Sequence, residues 1–428
     1  MTQSRSRSRA AGTTYSLYVL LLLTLVYVTN FIDRIVLGIL VGPIKAELHL
    51  SDSQLGLIGG TAFALFYTAL GIPVGWWADR ANRVRIMTAA LVCWSLFTAL
   101  TGAAHSFLTL FLARLAVGVG EAGGVAPAYA LITDYFRPGW RARALGFYSL
   151  GIPIGSALGY LLGGYLTSAF TWRAAFALLG AVGVLLAPVF LVTVREPARG
   201  RYDAAAEARP APPLAEVWRS LAAKPAFWLL SLGAGCGSLM GYGLLFWLPS
   251  FFMRSDGMSV LEVSRLLGAL LLLGGIPGIL LGSYIADRVG MRDRRAYAVV
   301  PAVAFLCILP CYALGTALPM GPAAFVLFLV PTALQLVWLG PVIMAIQQLV
   351  PPTMRSLASA IFLFITNLLG LGLGALIIGF ASDQLAARFG SASLRYAILG
   401  GTAFYVLAAG FFLCAARRLE RDFEPFTP

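Results

Sequence analysis

The chain carries little charge: Asp, Glu, Lys and Arg make up 11% of its 428 residues, whereas 59% are hydrophobic. A soluble enzyme or a disordered chain of this length would need far more polar surface. Continuous apolar runs such as 15–41 and 325–350 also lack the alternating polarity of an outer-membrane barrel. Each run is long enough to cross about 30 Å of hydrocarbon as a helix. The composition therefore predicts a polytopic helical membrane protein.

The chain also has few of the residues that catalysis, metal binding and phosphate binding require. It has two histidines and two lysines, and no lysine follows a glycine-rich loop. ATP hydrolysis at a P-loop is thereby excluded. The five cysteines lie in or at the ends of apolar runs, and Cys307 and Cys311, four residues apart, have no His or carboxylate beside them. We expect no metal, no cofactor and no enzymatic activity.

Hydrophobic windows bounded by charge, proline or glycine predict twelve membrane spans. Their approximate limits are 15–41, 54–78, 84–103, 106–134, 142–166, 172–194, 226–252, 260–286, 296–317, 321–349, 355–382 and 394–416. One long polar connection, 195–224, divides the spans into two bundles of six, at 15–194 and 225–417. Tails at 1–14 and 418–428 complete this division of the chain.

Sequence motifs repeat across the connection between the two bundles. The Asp-Arg pair that begins at Asp79 recurs at Asp287, 208 positions later. The loop that contains Arg141 likewise resembles the loop that contains Arg355, 214 positions later. Duplicated halves with a substrate site between them near the midplane are typical of transporters. We therefore predict an all-α fold of two pseudo-symmetric six-helix bundles.

Basic residues are distributed unevenly between the two sides of the predicted bundle. Twenty-three lie on the side of the N-terminus and six on the opposite side. Because cytoplasmic loops are enriched in Lys and Arg, both termini are predicted to be cytoplasmic. This topology accounts for the net charge of +13 without a nucleic-acid partner. The preference for Arg, Ala and Gly favours a bacterial protein, and hence the inner membrane.

Three motifs resemble those of known transporters. The loop Gly75-Trp-Trp-Ala-Asp79-Arg80-Ala-Asn-Arg83-Val-Arg85 resembles the signature between spans two and three of the major facilitator superfamily. Asn30-Phe-Ile-Asp33-Arg34 and Arg114-Leu-Ala-Val-Gly-Val-Gly-Glu121-Ala resemble the Spinster-like branch, which includes exporters of lysophospholipids and sphingosine phosphate. The resemblance implies proton-coupled transport of an amphipathic or lipid-like anion of these classes.

Four ionisable residues are predicted to lie deep inside spans: Asp33, Arg34, Arg114 and Glu121. Charges at such depth are costly and usually face a water-filled path or a substrate. We expect Glu121, and second Asp33, to carry the coupled proton, a role that the resemblance also implies. The guanidinium groups of Arg34 and Arg114 suit the phosphate or carboxylate of the substrate. An alternative is that the four charges only form structural ion pairs between spans one and four.

Further candidate residues fall into two sets. The substrate cavity is predicted to be lined by Tyr27, Asn30, Tyr67, Tyr129, Tyr148, Phe246, Trp247, Phe362 and Asn367. The resemblance implies a cytoplasmic latch that includes Asp79, Arg80, Arg83, Arg137, Arg141, Asp287 and Arg288. Asp79 could pair with Arg137 or Arg141. An aromatic cavity with few polar groups suits an amphipathic substrate better than a sugar.

Other functions remain open at this point. The chain could transport a small organic anion or a drug, or be a sensor that has lost turnover. A channel would require a continuous polar pore, which one cluster of four charges does not supply. The expected partners are the bilayer, the substrate anion and protons, and a monomer is expected from the fold.

Overall fold

The computed structural model describes residues 2–78, 80–199, 201–202, 214–290, 292–351 and 354–423. For residues 2–13, 72, 138, 142, 214, 286, 287 and 356 it describes the backbone alone. Two predicted latch groups, Asp79 and the side chain of Asp287, therefore lie outside the described residues.

Helices form wherever the sequence shows an apolar run. The first part of the chain forms α1 (Thr2–Ile39), α2 (Val41–Leu48), α3 (Asp52–Gly56), α4 (Ala62–Ala78), α5 (Arg83–Thr101), α6 (Phe107–Glu121), α7 (Val125–Tyr135), α8 (Pro138–Ser149), α9 (Gly151–Ala169) and α10 (Trp172–Thr193). The second part forms α11 (Leu214–Ala222), α12 (Pro225–Ser255), α13 (Val260–Leu270), α14 (Ile276–Ile285), α15 (Ala296–Gly315), α16 (Pro322–Leu334), α17 (Leu339–Gln348), α18 (Arg355–Phe389), α19 (Ser393–Gly401) and α20 (Ala403–Asp422).

Eleven segments of the described chain are long and apolar enough to cross a membrane. The last, Leu357–Asp422, combines two spans, one in α18 and the other in α19 and α20, with a break between them at Gly390, whose φ is positive at 52°. Counting these two separately gives twelve spans. The predicted all-α, twelve-helix membrane fold is thus confirmed.

Spans two and eight share a local irregularity. One π-helical turn, Leu57–Thr61, joins α3 to α4, and another, Leu271–Gly275, joins α13 to α14. Both spans also begin at a serine, Ser51 or Ser259, whose side chain accepts a backbone N–H three residues later in a capping box. The two π turns are 214 positions apart, the same offset as one of the sequence repeats.

The residue contacts divide the chain into two compact units. The first contains Met1–Val36 and Phe66–Ala208, and the second contains Leu37–Leu65 and Arg209–Pro428. Segment 37–65 therefore packs with the C-terminal part of the chain, which differs from a division at the 195–224 connection alone. Close packing explains this grouping: the backbone of Gly56 contacts α18 so tightly that an added Cβ would lie 2.4 Å from the Ala375 oxygen.

Candidate functional site

The four membrane-embedded charges come together inside the first unit. Asp33 and Arg34 lie on α1, whereas Arg114 and Glu121 lie on α6. Glu121 is 0%, Arg114 1% and Asp33 4% exposed. The Arg34 Nε donates a hydrogen bond of 2.8 Å to the Glu121 Oε2. Arg114 is near enough to interact electrostatically with both carboxylates, so the cluster joins two cations and two anions.

Several polar atoms of this cluster have no hydrogen-bond partner among the described residues. They are the Arg114 Nε and Nη1 and the Glu121 Oε1. Buried charged groups are nearly always hydrogen-bonded, and leaving them unpaired is costly. The arrangement therefore leaves donors for an anion on Arg114 and a site for a proton on Glu121.

The span that carries Glu121 is interrupted directly after this residue. Helix α6 ends at Glu121, a turn follows at 122–124, and α7 begins at Val125. A Cβ at Gly120 would lie 2.6 Å from the backbone nitrogen of Trp94, so only glycine permits this approach to α5. Interrupted helices are common at transporter binding sites.

Aromatic rings surround Arg34. Its guanidinium lies 4.6 Å from the Tyr67 ring centroid and 5.1 Å from that of Phe31, within cation–π range. Tyr27 and Tyr148 stack at 4.3 Å with planes 7° apart. Tyr129 is 40% exposed and meets Tyr148 edge-on at 5.6 Å. The predicted aromatic residues of the first unit thus lie together beside the charges.

The predicted cavity residues of the second unit have different surroundings. Trp247 is fully buried, and its indole N–H donates to the Ala375 carbonyl at 2.7 Å. The Phe246 ring fills the space above Gly59, where a Cβ would lie 2.1 Å from the ring. Trp247 and Phe246 thus pack within the second unit, and their place in a substrate cavity stays a prediction. Phe362 is 1% exposed, and Asn367 is half-buried.

Arg83, a predicted latch residue, is held in a buried ion cluster. Its Nη1 donates to the Asp134 Oδ2 at 2.7 Å and its Nε to the Glu196 Oε1 at 2.6 Å. Glu196 also accepts the Val84 backbone N–H at 3.1 Å. The cluster ties the start of α5 to the end of α7 and to the segment after α10. Arg83 was predicted from its motif, whereas its acidic partners Asp134 and Glu196 were not.

The other predicted latch residues are described only in part. The Arg141 Nε donates to the carbonyls of Thr133 and Phe136, at 3.0 and 3.2 Å. The remaining three arginines lie over aromatic rings, Arg80 at 3.9 Å from Trp76, Arg137 at 5.8 Å from Tyr202 and Arg288 at 5.6 Å from Tyr284. The pairing of Asp79 with Arg137 or Arg141 stays a prediction.

A second ion cluster, around Asp52, was missed by the sequence analysis. Asp52 is 2% exposed and accepts two hydrogen bonds from Arg254, at 2.6 and 2.8 Å. It also accepts one from Lys45 at 2.5 Å and one from the Ser382 hydroxyl at 2.8 Å. We call these four residues the Asp52 cluster.

Asp383 attaches α18 to the start of α3 beside the Asp52 cluster. Its carboxylate accepts the backbone N–H groups of Asp52 and Ser53, at 3.1 and 2.7 Å, and the Ser53 hydroxyl. An acid from a distant helix thus caps the α3 N-terminus, where a negative charge is favourable. The only sequence signal was the polar stretch 51–54, which indicates a helix start but no partner.

No group of three or more His, Cys, Asp or Glu side chains suited to a metal occurs in the described ranges. The Cys311 thiol donates to the Cys307 carbonyl within α15, at 3.4 Å.

Comparison with known proteins identifies the family of the chain. The family model described as Major Facilitator Superfamily matches residues 23–375. This chain belongs to that superfamily. It is 34% identical over 401 residues to an MFS-type efflux pump of Mycolicibacterium smegmatis, covering 94% of this chain and 92% of the relative. It is 30% identical over 437 residues to the protein spinster homolog 1 of Xenopus tropicalis, covering 95% and 82%.

A solved structure gives the same assignment. The chain matches a bacterial homologue of the human lysosomal transporter Spinster, in an inward-facing and unoccupied conformation, with 32% identity and a TM-score of 0.87. The match covers 96% of this chain and 99% of that one. The protein is therefore a major facilitator transporter of the Spinster-like branch, not an enzyme, as the motifs predicted.

Proposed function

We propose that this transporter couples the movement of an amphipathic or lipid-like anion to protons, by alternating access. The observation that carries this proposal is the buried cluster of Arg34, Glu121, Arg114 and Asp33, with its unpartnered atoms on Arg114 and Glu121. Structural ion pairs alone would be expected to satisfy all their donors and acceptors.

Charge balance links the substrate to the proton. The four side chains are formally neutral when all are ionised. An anion bound to Arg114 and Arg34 would leave one net negative charge in a buried site, which is costly. A proton on Glu121 restores neutrality and frees Arg34, which now donates to Glu121, to bind the anion. Binding of the anion and of the proton should therefore favour each other, with Glu121 as the first proton site and Asp33 as the second.

The surroundings of Arg34 support an amphipathic substrate. Two guanidinium groups offer forked donors for a phosphate or carboxylate. Beside them, Tyr27, Tyr67 and Tyr129 supply an apolar wall with few competing polar groups, and Asn30 supplies an amide. The Spinster resemblance favours the lysophospholipid or sphingoid-phosphate class. Phe362 and Asn367 stay predictions for the contribution of the second unit.

The similarity to the mycobacterial relative, named an MFS-type efflux pump, favours a second candidate. In this version the cargo is a drug or a small organic anion, and the same charges couple it to protons. Inhibition of lysophosphatidylglycerol uptake by drugs or small organic anions would test this candidate, because a compound that binds the same site raises the KM for the lipid without lowering the maximal rate.

The proposed orientation places both termini in the cytoplasm of a bacterial cell, with the chain in the inner membrane as a monomer. Its support is the excess of basic residues on one side, 23 against 6. In this orientation the Arg83 cluster and the other latch arginines face the cytoplasm. The Asp52 cluster would then lie at the outer end, where it holds α18 to the start of α3.

Proteoliposome transport tests the proposed function. A pH gradient should drive uptake of lysophosphatidylglycerol, an anionic lysophospholipid, by the wild type. Glu121→Gln should lose this gradient-driven uptake but keep exchange between labelled and unlabelled substrate, since Gln mimics the protonated acid. Glu216→Gln, at an exposed carboxylate of α11, is the matched control and should behave as wild type. Undiminished gradient-driven uptake by Glu121→Gln would remove this residue from the proton role.

A further inference from the structure

A small cavity lies inside the first unit, among α1, α5, α7 and α8. It is lined by Val26, Tyr27, Asn30, Met87, Trp94, Gly124, Val125 and Tyr148. Two lining residues have buried polar atoms without a hydrogen-bond partner in the described part of the chain: the Trp94 Nε1 and the Asn30 Oδ1. Trp94 is 1% exposed and Asn30 is 3% exposed. Such atoms are rarely left unsatisfied, so this pair points to a ligand.

The two atoms define the chemistry of that ligand. An indole nitrogen only donates a hydrogen bond, whereas an amide oxygen only accepts. One group that accepts from Trp94 and donates to Asn30 satisfies both, and a hydroxyl does so with a single oxygen. Among the other lining residues, Val26, Met87 and Val125 are apolar, and Tyr27 and Tyr148 are uncharged aromatics. None of the lining side chains carries a charge that would favour an ion over a neutral hydroxyl.

The cavity adjoins the proposed proton site. The backbone of Gly120, next to Glu121, packs on the backbone of Trp94, and an added Cβ at Gly124 would lie 3.7 Å from the indole ring. Asn30 lies next to the Glu121 carboxylate. A hydroxyl held between Trp94 and Asn30 would therefore fix the amide that faces Glu121.

We propose that Trp94 and Asn30 form a hydroxyl-binding site, and that Trp94 acts through it as a positioning residue for Glu121. The hydroxyl belongs either to a water molecule or to the substrate. The site is independent of the proposed function, but its consequence for transport rests on that function.

Other groups also surround Glu121. Arg34 and Asp33 face it from α1, and Arg114 faces it from its own helix. Tyr27 and Tyr148 lie on the Arg34 side. Since Trp94 is uncharged, its indole N–H acts on Glu121 through hydrogen bonding and geometry, without a charge of its own.

The site itself is tested without transport. The ultraviolet resonance Raman spectrum of tryptophan reports whether an indole N–H is hydrogen-bonded. We expect the difference spectrum between the wild type and Trp94→Phe, both in lipid nanodiscs, to show a hydrogen-bonded N–H for Trp94. That result assigns the hydroxyl to a water molecule, because the substrate is absent from this measurement. A bond that forms only after addition of lysophosphatidylglycerol assigns it to the substrate. An N–H that stays non-bonded both without and with this lipid would overturn the proposal.

The link to Glu121 is tested by deleting only the N–H. Replacing Trp94 with benzothienylalanine keeps the shape of the ring and exchanges the N–H for sulfur. We expect the pH midpoint of gradient-driven uptake to move by at least about 0.3 unit, a twofold change in proton affinity. Trp172, also buried in the first unit, is the matched control, and the same replacement there should leave the midpoint unchanged.

The outcomes separate the two sources and the two proposals. With a water in the site, the midpoint moves while the KM for lysophosphatidylglycerol stays constant. With the substrate hydroxyl, the KM rises for this lipid but not for its 2-deoxy analogue. If neither quantity changes in a variant that still transports, Trp94 does not position Glu121. If the wild type transports no lysolipid, the proposed function fails while the Raman result still decides the site.

Discussion

Neutralising Asp52 should release the contact between α18 and the start of α3. In Asp52→Asn the buried carboxylate that binds Lys45, Arg254 and Ser382 loses its charge. Breaking a fully buried ion pair costs about 3–5 kcal/mol. Here the Lys45 and Arg254 side chains are 37% and 25% exposed, so water can partly replace the lost partner. We therefore expect the contact between α18 and the start of α3 to lose about 2–3 kcal/mol of stabilisation.

That loss corresponds to roughly a 30- to 150-fold rise in the ratio of molecules in which this contact is broken to those in which it is intact. Ser250 provides a reporter: it lies on α12 one turn before Arg254, is 2% exposed, and is nearly isosteric with cysteine. In a background without the five native cysteines, Ser250→Cys should be alkylated tens of times faster when Asp52→Asn is added.

Asp256→Asn is the control for this experiment. This half-buried carboxylate follows the same helix, outside the Asp52 cluster, and its pKa is raised by burial, which the nearby Arg395 opposes. The alkylation rate should stay within about twofold of the parent, since this partly solvated charge takes no part in the Asp52 cluster. If Asp52→Asn is alkylated as slowly as the parent, the Asp52 cluster does not hold α18 to the start of α3.

Three further predictions concern the first unit and the surface of the second. Gly120→Ala should abolish transport because its Cβ would meet the Trp94 backbone, whereas Gly146→Ala, with open space around it, should transport normally in the same uptake assay. Arg83→Ala should lower the free energy of unfolding by about 3–5 kcal/mol, because Asp134 and Glu196 lose the buried guanidinium that donates to both. Thermal unfolding in detergent measures this change, and a midpoint equal to that of the wild type would contradict it. The difference in unfolding midpoint between Glu420→Gln and the wild type should be constant between pH 5 and 9. The hydrogen bond from Glu420 raises the pKa of its exposed partner Arg295, so any stabilisation by this pair is complete below the ordinary arginine range and fades only above it. A difference that varies clearly with pH in this window would contradict the assignment.

Much of the fold and the centre of the site could be predicted from the sequence, because membrane insertion imposes strong local rules. Long apolar runs have to be helices in lipid, which gave the spans. A charge inside such a run is conspicuous, which singled out Asp33, Arg34, Arg114 and Glu121.

The ion clusters at the ends of the spans could not be predicted, because their partners are far apart in the chain. Asp52 and Arg254 are separated by 202 positions, and Ser53 and Asp383 by 330. Near span ends, polar residues are common and each resembles a cap or a topological signal. Trp94 was overlooked for another reason, since an aromatic residue in a span normally indicates packing. Only the structure shows that its N–H lacks a partner among the described residues.

The central claim is that one buried site binds the anion and the proton together. Substrate-induced proton uptake measures this directly. Purified transporter in weakly buffered detergent receives lysophosphatidylglycerol while a pH indicator records the protons bound. We predict net proton uptake by the wild type and none by Glu121→Gln, although this variant still binds the lipid. Equal proton uptake by both proteins, or saturable lipid binding by the wild type with no proton bound at any pH, would contradict the account.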